Sequence, residues 1–163
     1  MPGERGKRNQ RIRIRVTWLT AALVFLADLA LKNYLRVNYA GESIPLVPNI
    51  LHCTVVFNTG AAFGILQGKT TALAYTTIFF IILFLNFIKR EGKGHLLFTI
   101  ACGLIIGGAL SNLFDRLVFG FVIDYIDIRV WPVFNLSDSC ISVGAALLFL
   151  DSFRSKKPGS TKP

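Results

Sequence analysis

Charge is scarce in this chain, and histidine is scarcer. Only 17% of the 163 residues are charged, 53% are hydrophobic, and the mean hydropathy is +0.55, which excludes a soluble domain of ordinary composition. The two histidines, His52 and His95, fall on opposite sides of a bilayer under the topology derived below. A zinc site and a Ser/His/Asp arrangement therefore both lack parts, and no metal site is expected. The cysteines Cys53, Cys102 and Cys140 are odd in number, and the last two sit in apolar helical stretches. They make no disulfide framework and read as small packing residues. Internal repeats are absent as well.

What the chain has instead is long apolar runs. Residues 70–88 and 96–114 each run for 19 residues without a charge, enough to cross a hydrocarbon core of roughly 30 Å. Residues 16–35 are apolar apart from Asp28 and Lys32, and residues 133–150 apart from Asn135, Asp138 and a few hydroxyls. Both are of spanning length. The expected fold is an all-α membrane protein of four transmembrane helices.

The net charge of +9 points to the membrane and not to nucleic acid, because of where it lies. Arg5, Lys7, Arg8, Arg11, Arg13 and Arg15 precede helix 1. Lys89, Arg90 and Lys93 separate helices 2 and 3, and Arg154, Lys156, Lys157 and Lys162 follow helix 4. These are 13 of the 18 basic residues. With an even number of spans the three segments share a side, and the positive-inside rule makes it the cytoplasmic one. The first helix resembles a signal peptide in its basic flank, but its length and the three spans that follow mark it as uncleaved.

Residues 1–15 and 154–163 read as charged tails flanking a single four-helix transmembrane domain, 16–153. The outer segment 36–69 is too long for a simple connector and should carry structure. Pro45 and Pro48 break any helix there, while residues 50–57 are β-branched and aromatic, Asn58-Thr59-Gly60 signals a turn, and residues 61–66 offer a returning strand. A small β-containing element on the outer surface follows. The link 89–95 is short and makes helices 2 and 3 antiparallel neighbours. The second outer segment, 115–132, is long and half apolar, and Leu117, Val118, Phe119, Phe121, Val122 and Ile123 lead to the expectation that it lies at the interface.

Depth brings the polar residues together. At 1.5 Å per residue, Asp28 lies about 18 Å along helix 1, with Lys32 one turn further out. Asn112 lies about 24 Å along helix 3, with Asp115 at its outer boundary, and Asp138 only about 6–8 Å inside the outer start of helix 4. An ionisable residue in lipid costs roughly 2.5–3.5 kcal/mol even on insertion scales, so such a cluster reads as functional. Asp28 and Lys32, at i and i+4, can pair. Asn112, Asp115 and Arg116 share a face on which Arg116 can fork onto a carboxylate. Gly103, Gly107 and Ser111 form a small-xxx-small stripe for close helix packing.

Asp124 and Asp138 differ in having no basic partner at helical spacing, and Pro132 between them forbids one continuous helix. Two carboxylates brought together at the edge of a low-dielectric region hold one proton between them, giving an acid and a base in one site. Such a pair can deprotonate a water as it attacks a peptide carbonyl and then protonate the leaving nitrogen. A buried polar tether and an ion pathway stay open as alternatives, the latter in a small four-helix transporter. Against transport stands the gathering of the carboxylates at one surface, where alternating access favours the midplane.

Four ordered stretches narrow the choice: Asn58-Thr59-Gly60-Ala61-Ala62-Phe63-Gly64, residues 107–116 with Asn112, Asp115 and Arg116, Gly120-Phe121-Val122-Ile123-Asp124-Tyr125-Ile126-Asp127, and Phe134-Asn135-Leu136-Ser137-Asp138-Ser139. They resemble the signature blocks of the bacterial lipoprotein signal peptidases, the type II signal peptidases, and the likeness runs from helix 1 to Leu150. That resemblance implies an aspartic endopeptidase of the inner membrane without metal or cofactor. Its substrate is a diacylglyceryl-modified prolipoprotein, cut just before the lipidated cysteine. It matches Asp124 and Asp138 to the catalytic dyad, Asn58, Asn112, Arg116 and Asn135 to polar residues around it, and Asp28, Lys32 and Asp115 to supporting roles. Ser111 stands where a glycine is usual and Ser137 where an alanine is usual. A lipid-anchored peptide presents its scissile bond near the outer interface, the depth already assigned to the polar cluster.

Overall fold

A computed structural model of the chain describes residues 2–60, 66–91 and 95–155. The elements in chain order are α1 (Pro2–Asn38), β1 (Ser43–Val47), β2 (Leu51–Asn58), α2 (Thr70–Glu91), α3 (Leu96–Val118), β3 (Val122–Asp127) and α4 (Leu136–Ser155). All four helices contain stretches long and apolar enough to cross a membrane: Arg8–Asn38, Thr70–Glu91, Leu96–Val118 and Leu136–Phe153. Their exposed side chains are large and hydrophobic, among them Leu19, Leu23 and Leu26 on α1 and Phe79, Phe80 and Leu83 on α2. Such a surface suits lipid, where helices satisfy their own backbone polar groups.

Helix α3 is the axis of the bundle, with α1 and α4 packed on it and α2 attached chiefly to α3. Small residues set the approach, as the stripe on α3 requires. A Cβ added at Gly107 would sit 2.5 Å from the Ala21 carbonyl oxygen, and one at Gly103 would sit 2.7 Å from that of Thr17. On the opposite flank, a Cβ at Gly108 would meet the Ser137 carbonyl oxygen at 2.6 Å, and one at Gly144 the Ala101 carbonyl oxygen at 2.8 Å. Without a hydrophobic drive between helices in lipid, this backbone contact is the main source of packing attraction.

The sheet is antiparallel with order β1-β2-β3. Asn49, at φ 63°, makes the tight turn between β1 and β2, and Pro45 sits on the edge strand, where its missing N–H does no harm. Residues 61–65, which were expected to supply the returning strand, lie outside the described residues. One partner of β2 precedes it in sequence, as residues 43–47, where Pro48 and Asn49 favour the turn. The third strand was not expected. Residues 117–123 are divided among elements: Leu117 and Val118 finish α3, Gly120 at φ 78° reverses the chain, and Val122–Asp127 pairs with β2. Leu35, Val55, Ile123 and Tyr125 form the core beneath the sheet, fixing it to the end of α1.

Other boundaries shift. The basic segment 2–15, read as a tail, is helical and continuous with the first span. Helix α3 extends past Phe114, so Asp115 and Arg116 lie on its last turns, and α4 starts at Leu136 and not at Val133. Residues 92–94 and 156–163 are outside the described set.

Candidate active site

Three tiers of polar residues rise through the sheet end of the bundle. The lowest is ionic. Lys32 Nζ lies 2.7 Å from Asp28 Oδ2 and 3.0 Å from Asp115 Oδ2, and all three residues are fully buried. The pairing of Asp28 with Lys32 follows their spacing, but Asp115 takes the same lysine and leaves Arg116 aside. Arg116 Nη1 donates instead to the Asn112 carbonyl oxygen at 3.4 Å and faces a cavity. The expected fork of Arg116 onto a carboxylate is thus not formed. The cause is geometric: Asp115 faces α1 and the sheet, where its Oδ2 also accepts from the Ile123 amide at 3.2 Å.

Asparagines make the second tier. Lys32 Nζ donates to Asn112 Oδ1 at 2.9 Å, which turns the Asn112 amide so that its Nδ2 donates to Asp138 Oδ1 at 2.8 Å. Asn135 Nδ2 donates to Asp124 Oδ1 at 2.7 Å, and Asn58 Nδ2 donates to Asp124 Oδ2 at 2.8 Å. The backbone amide of Asn135 donates to Asp138 Oδ2 at 3.3 Å. Each of the four carboxylate oxygens therefore accepts one protein hydrogen bond and keeps lone-pair capacity for a proton or a water.

The top tier is the pair itself, Asp124 from the middle of β3 and Asp138 from the first turn of α4. Two elements supply them, as Pro132 demands. The join is a backbone bridge in which the Ile126 amide donates to the Phe134 carbonyl at 2.7 Å and the Phe134 amide donates to the Ile126 carbonyl at 3.0 Å. It sets the start of α4 directly against β3. Both aspartates line one cavity of about 490 Å³ together with Asn58, Asn112, Arg116, Trp131 and Phe134.

Burial pushes the Asp124 carboxyl up to about 6, a rise restrained by its bond from Asn58 and reinforced by the charge of Asp138. A carboxyl in that range can hold or release a proton near neutrality, as acid–base work requires. Burial likewise raises the Tyr125 phenol, with the charge of Asp28 adding to it, so that it stays a donor.

The candidate site residues Asp28, Lys32, Asn58, Asn112, Asp115, Arg116, Asp124, Asn135 and Asp138 all lie in this cluster. Missed were Tyr125, Ser111 and Ser137 as hydrogen-bonding groups. Tyr125 carried no signal beyond its place beside Asp124, and the serines were read only as small. Missed too was a capping signal, Asn135-x-x-Asp138, which is a polar N-cap followed three residues later by an acid. Among the described residues no three His, Cys, Asp or Glu side chains are grouped to hold a metal.

Residues 20–154 match the model of the signal peptidase (SPase) II family. The chain belongs to the signal peptidase II family. The lipoprotein signal peptidase of Halothermothrix orenii is 42% identical over 146 residues, covering 88% of this chain and 99% of that one. The lipoprotein signal peptidase of Pseudomonas aeruginosa strain UCBPP-PA14 is 38% identical over 156 residues, covering 89% and 92%. A bacterial membrane enzyme solved by the in meso method at 2.3 Å superposes with a TM-score of 0.82 at 31% identity, over 92% of this chain and 94% of that one. This signal peptidase II is accordingly an aspartic peptidase with four membrane-spanning helices and a three-stranded sheet.

Proposed function

We propose that Asp124 and Asp138 are the catalytic pair with which this signal peptidase removes signal peptides from prolipoproteins. One observation carries the assignment: two carboxylates from separate elements meet on one cavity, both held by Asn135, through its amide side chain on Asp124 and its backbone on Asp138. A water between them is deprotonated by the ionised carboxylate as it attacks the scissile carbonyl. The protonated carboxyl donates to the carbonyl oxygen, and collapse of the tetrahedral intermediate passes a proton to the leaving nitrogen. Arg116 on the cavity wall supplies positive charge that favours keeping one of the pair ionised.

The substrate is a diacylglyceryl-modified precursor, cut before its lipidated cysteine, and the membrane is the bacterial inner membrane with both termini cytoplasmic. The supports are the basic flanks and the position of the cavity at the sheet end, level with the ends of α1 and α3, where a lipid-anchored peptide can present its backbone. Asn58, Asn112 and Asn135 orient the pair, while Asp28, Lys32 and Asp115 support that layer. The test is incubation of the purified protein with a lipidated precursor and with its unlipidated form, with and without a chelator. Cleavage of the lipidated form alone, indifferent to chelation, is expected. Cleavage of both forms would overturn the substrate assignment, and a metal-restorable loss would overturn the carboxylate mechanism.

A further inference from the structure

One buried carboxylate is gripped by the chain neighbours of three cavity residues. Ser111 Oγ donates to Asp28 Oδ2 at 2.6 Å, and the next residue is Asn112. Ser137 Oγ donates to the same oxygen at 2.6 Å, and the next residue is Asp138. Tyr125 Oη donates to Asp28 Oδ1 at 3.0 Å, and the preceding residue is Asp124. The three donors come from α3, α4 and β3, and the acceptor from α1. Asp28, Ser111 and Ser137 have no exposed surface.

Lys32 is one cation shared by two carboxylates, Asp28 and Asp115, so the hydroxyls stabilise the carboxylate charge that it leaves uncompensated, and they do more than that. Three charge-assisted bonds to one side chain add direction, because such bonds are short and weaken steeply off axis. They fix residues 111, 125 and 137 relative to one another, and each is a single Cα–Cα step, about 3.8 Å, from a residue on the cavity. Tyr125 also accepts the Leu136 amide at 3.0 Å, which couples β3 to the start of α4 a second time. Ser111 and Ser137 are also the two departures noted from the resembled motifs.

We infer that Ser111, Ser137 and Tyr125 are positioning residues that set the separation of Asp124 and Asp138 through the Asp28 carboxylate, without touching the substrate. This rests on Asp124 and Asp138 being the reacting pair. A small misplacement of reacting groups is costly to the chemical step and not to ground-state binding, so the effect falls on kcat.

Ser111→Ala, Ser137→Ala and Tyr125→Phe each delete one oxygen and leave the packing nearly intact. With the full-length protein and a lipidated precursor, each should lower kcat about tenfold with KM within about twofold of wild type. In an Asp28→Ala background, Ser137→Ala should cost nothing further, since its acceptor is gone. If that background does not fold, the pair Ser137→Ala/Tyr125→Phe serves instead, and its loss should be smaller than the product of the single losses. Unchanged kcat in all three single variants, a loss expressed only in KM, or strictly multiplicative losses would overturn the inference. Asp124→Asn and Asp138→Asn, run alongside, separate the two levels. Turnover by either would remove the underlying reading, whereas inactivity of both with wild-type kcat in the hydroxyl variants would remove this inference alone.

Discussion

Asn135 and Asp138 cap each other. The Asp138 amide donates to Asn135 Oδ1 at 2.9 Å, and Asp138 Oδ2 accepts the Asn135 amide at 3.3 Å. This reciprocal capping box satisfies two of the unpaired donors at the start of α4. It also locks the carboxylate that faces the cavity, so one motif serves helix formation and the proposed chemistry. Asn135→Ala is expected to lower stability by about 1 kcal/mol through the lost cap. Its loss of activity should be larger than that predicts, because the same side chain holds Asp124. Melting curves and cleavage rates measured on one preparation check this, and proportionate losses would count against it.

Asp124→Asn and Asp138→Asn should each lower turnover by at least about 10³-fold, with the double variant scarcely worse than either single one, as for groups that act as a unit. Asparagine keeps the shape but exchanges no proton at neutral pH. Single-turnover cleavage of a lipidated precursor is the measurement. Normal turnover by either variant would remove the pair from the mechanism.

Lys32→Met should be among the most destabilising single changes in the protein. It leaves Asp28 and Asp115 buried without their shared cation, and breaking a buried pair in that way typically costs about 3–5 kcal/mol. Thermal unfolding in detergent should show the loss. A shift no greater than that of an exposed-lysine control, such as Lys69→Met, would contradict the ionic tier.

The raised Asp124 carboxyl fixes the sign of a pH effect. Its value of about 6, against an ordinary 3.8, means that the folded protein binds this proton more tightly than the unfolded chain. Its contribution therefore favours folding below pH 3.8 and is lost as pH rises to about 6. The melting temperature of wild type minus that of Asp124→Asn should fall between about pH 4 and pH 6 and stay level above. A constant difference across that range would show that Asp124 titrates normally.

Topology offers a further check. Tags at both termini should be protected on the cytoplasmic side, and single cysteines placed at Lys69 and Val130 should react with impermeant reagents from outside. Labelling of Lys69→Cys only from the cytoplasm would reverse the orientation and the substrate argument with it.

The helices, the polar cluster and the division of Asp124 and Asp138 between two elements were legible in the sequence because span length, charge spacing and Pro132 are local signals. The sheet was legible only in part. The strand Leu51–Asn58 announced itself by composition, but its partner Val122–Asp127 is far away in sequence and is recruited by tertiary contacts that no periodicity records. Arg116 shows the same limit. Helical spacing puts it on one face with Asn112 and Asp115, and only the fold reveals that Asp115 turns to Lys32. The lower boundary of α1 was misread because a run of arginines looks like a tail, although arginine is a good helix former.

Strand β3 has a consequence for how a peptide can bind. On the side away from β2, the Ile123 amide is taken by Asp115, the Tyr125 amide by the Phe134 carbonyl, and the Ile123 carbonyl by Asn135 Nδ2 at 3.4 Å. The other border of the sheet is β1, interrupted by Pro45, which has no N–H to offer. Beside the aspartates the ladder is therefore closed to a visiting strand. Recognition by β-augmentation, in which an extended peptide adds a strand to an exposed sheet edge, is denied to this protein at β3. On the proposed reading the peptide is held by the walls of the cavity and by the lipid that tethers it, so selectivity would depend on side-chain shape and anchoring depth and not on backbone pairing at that edge.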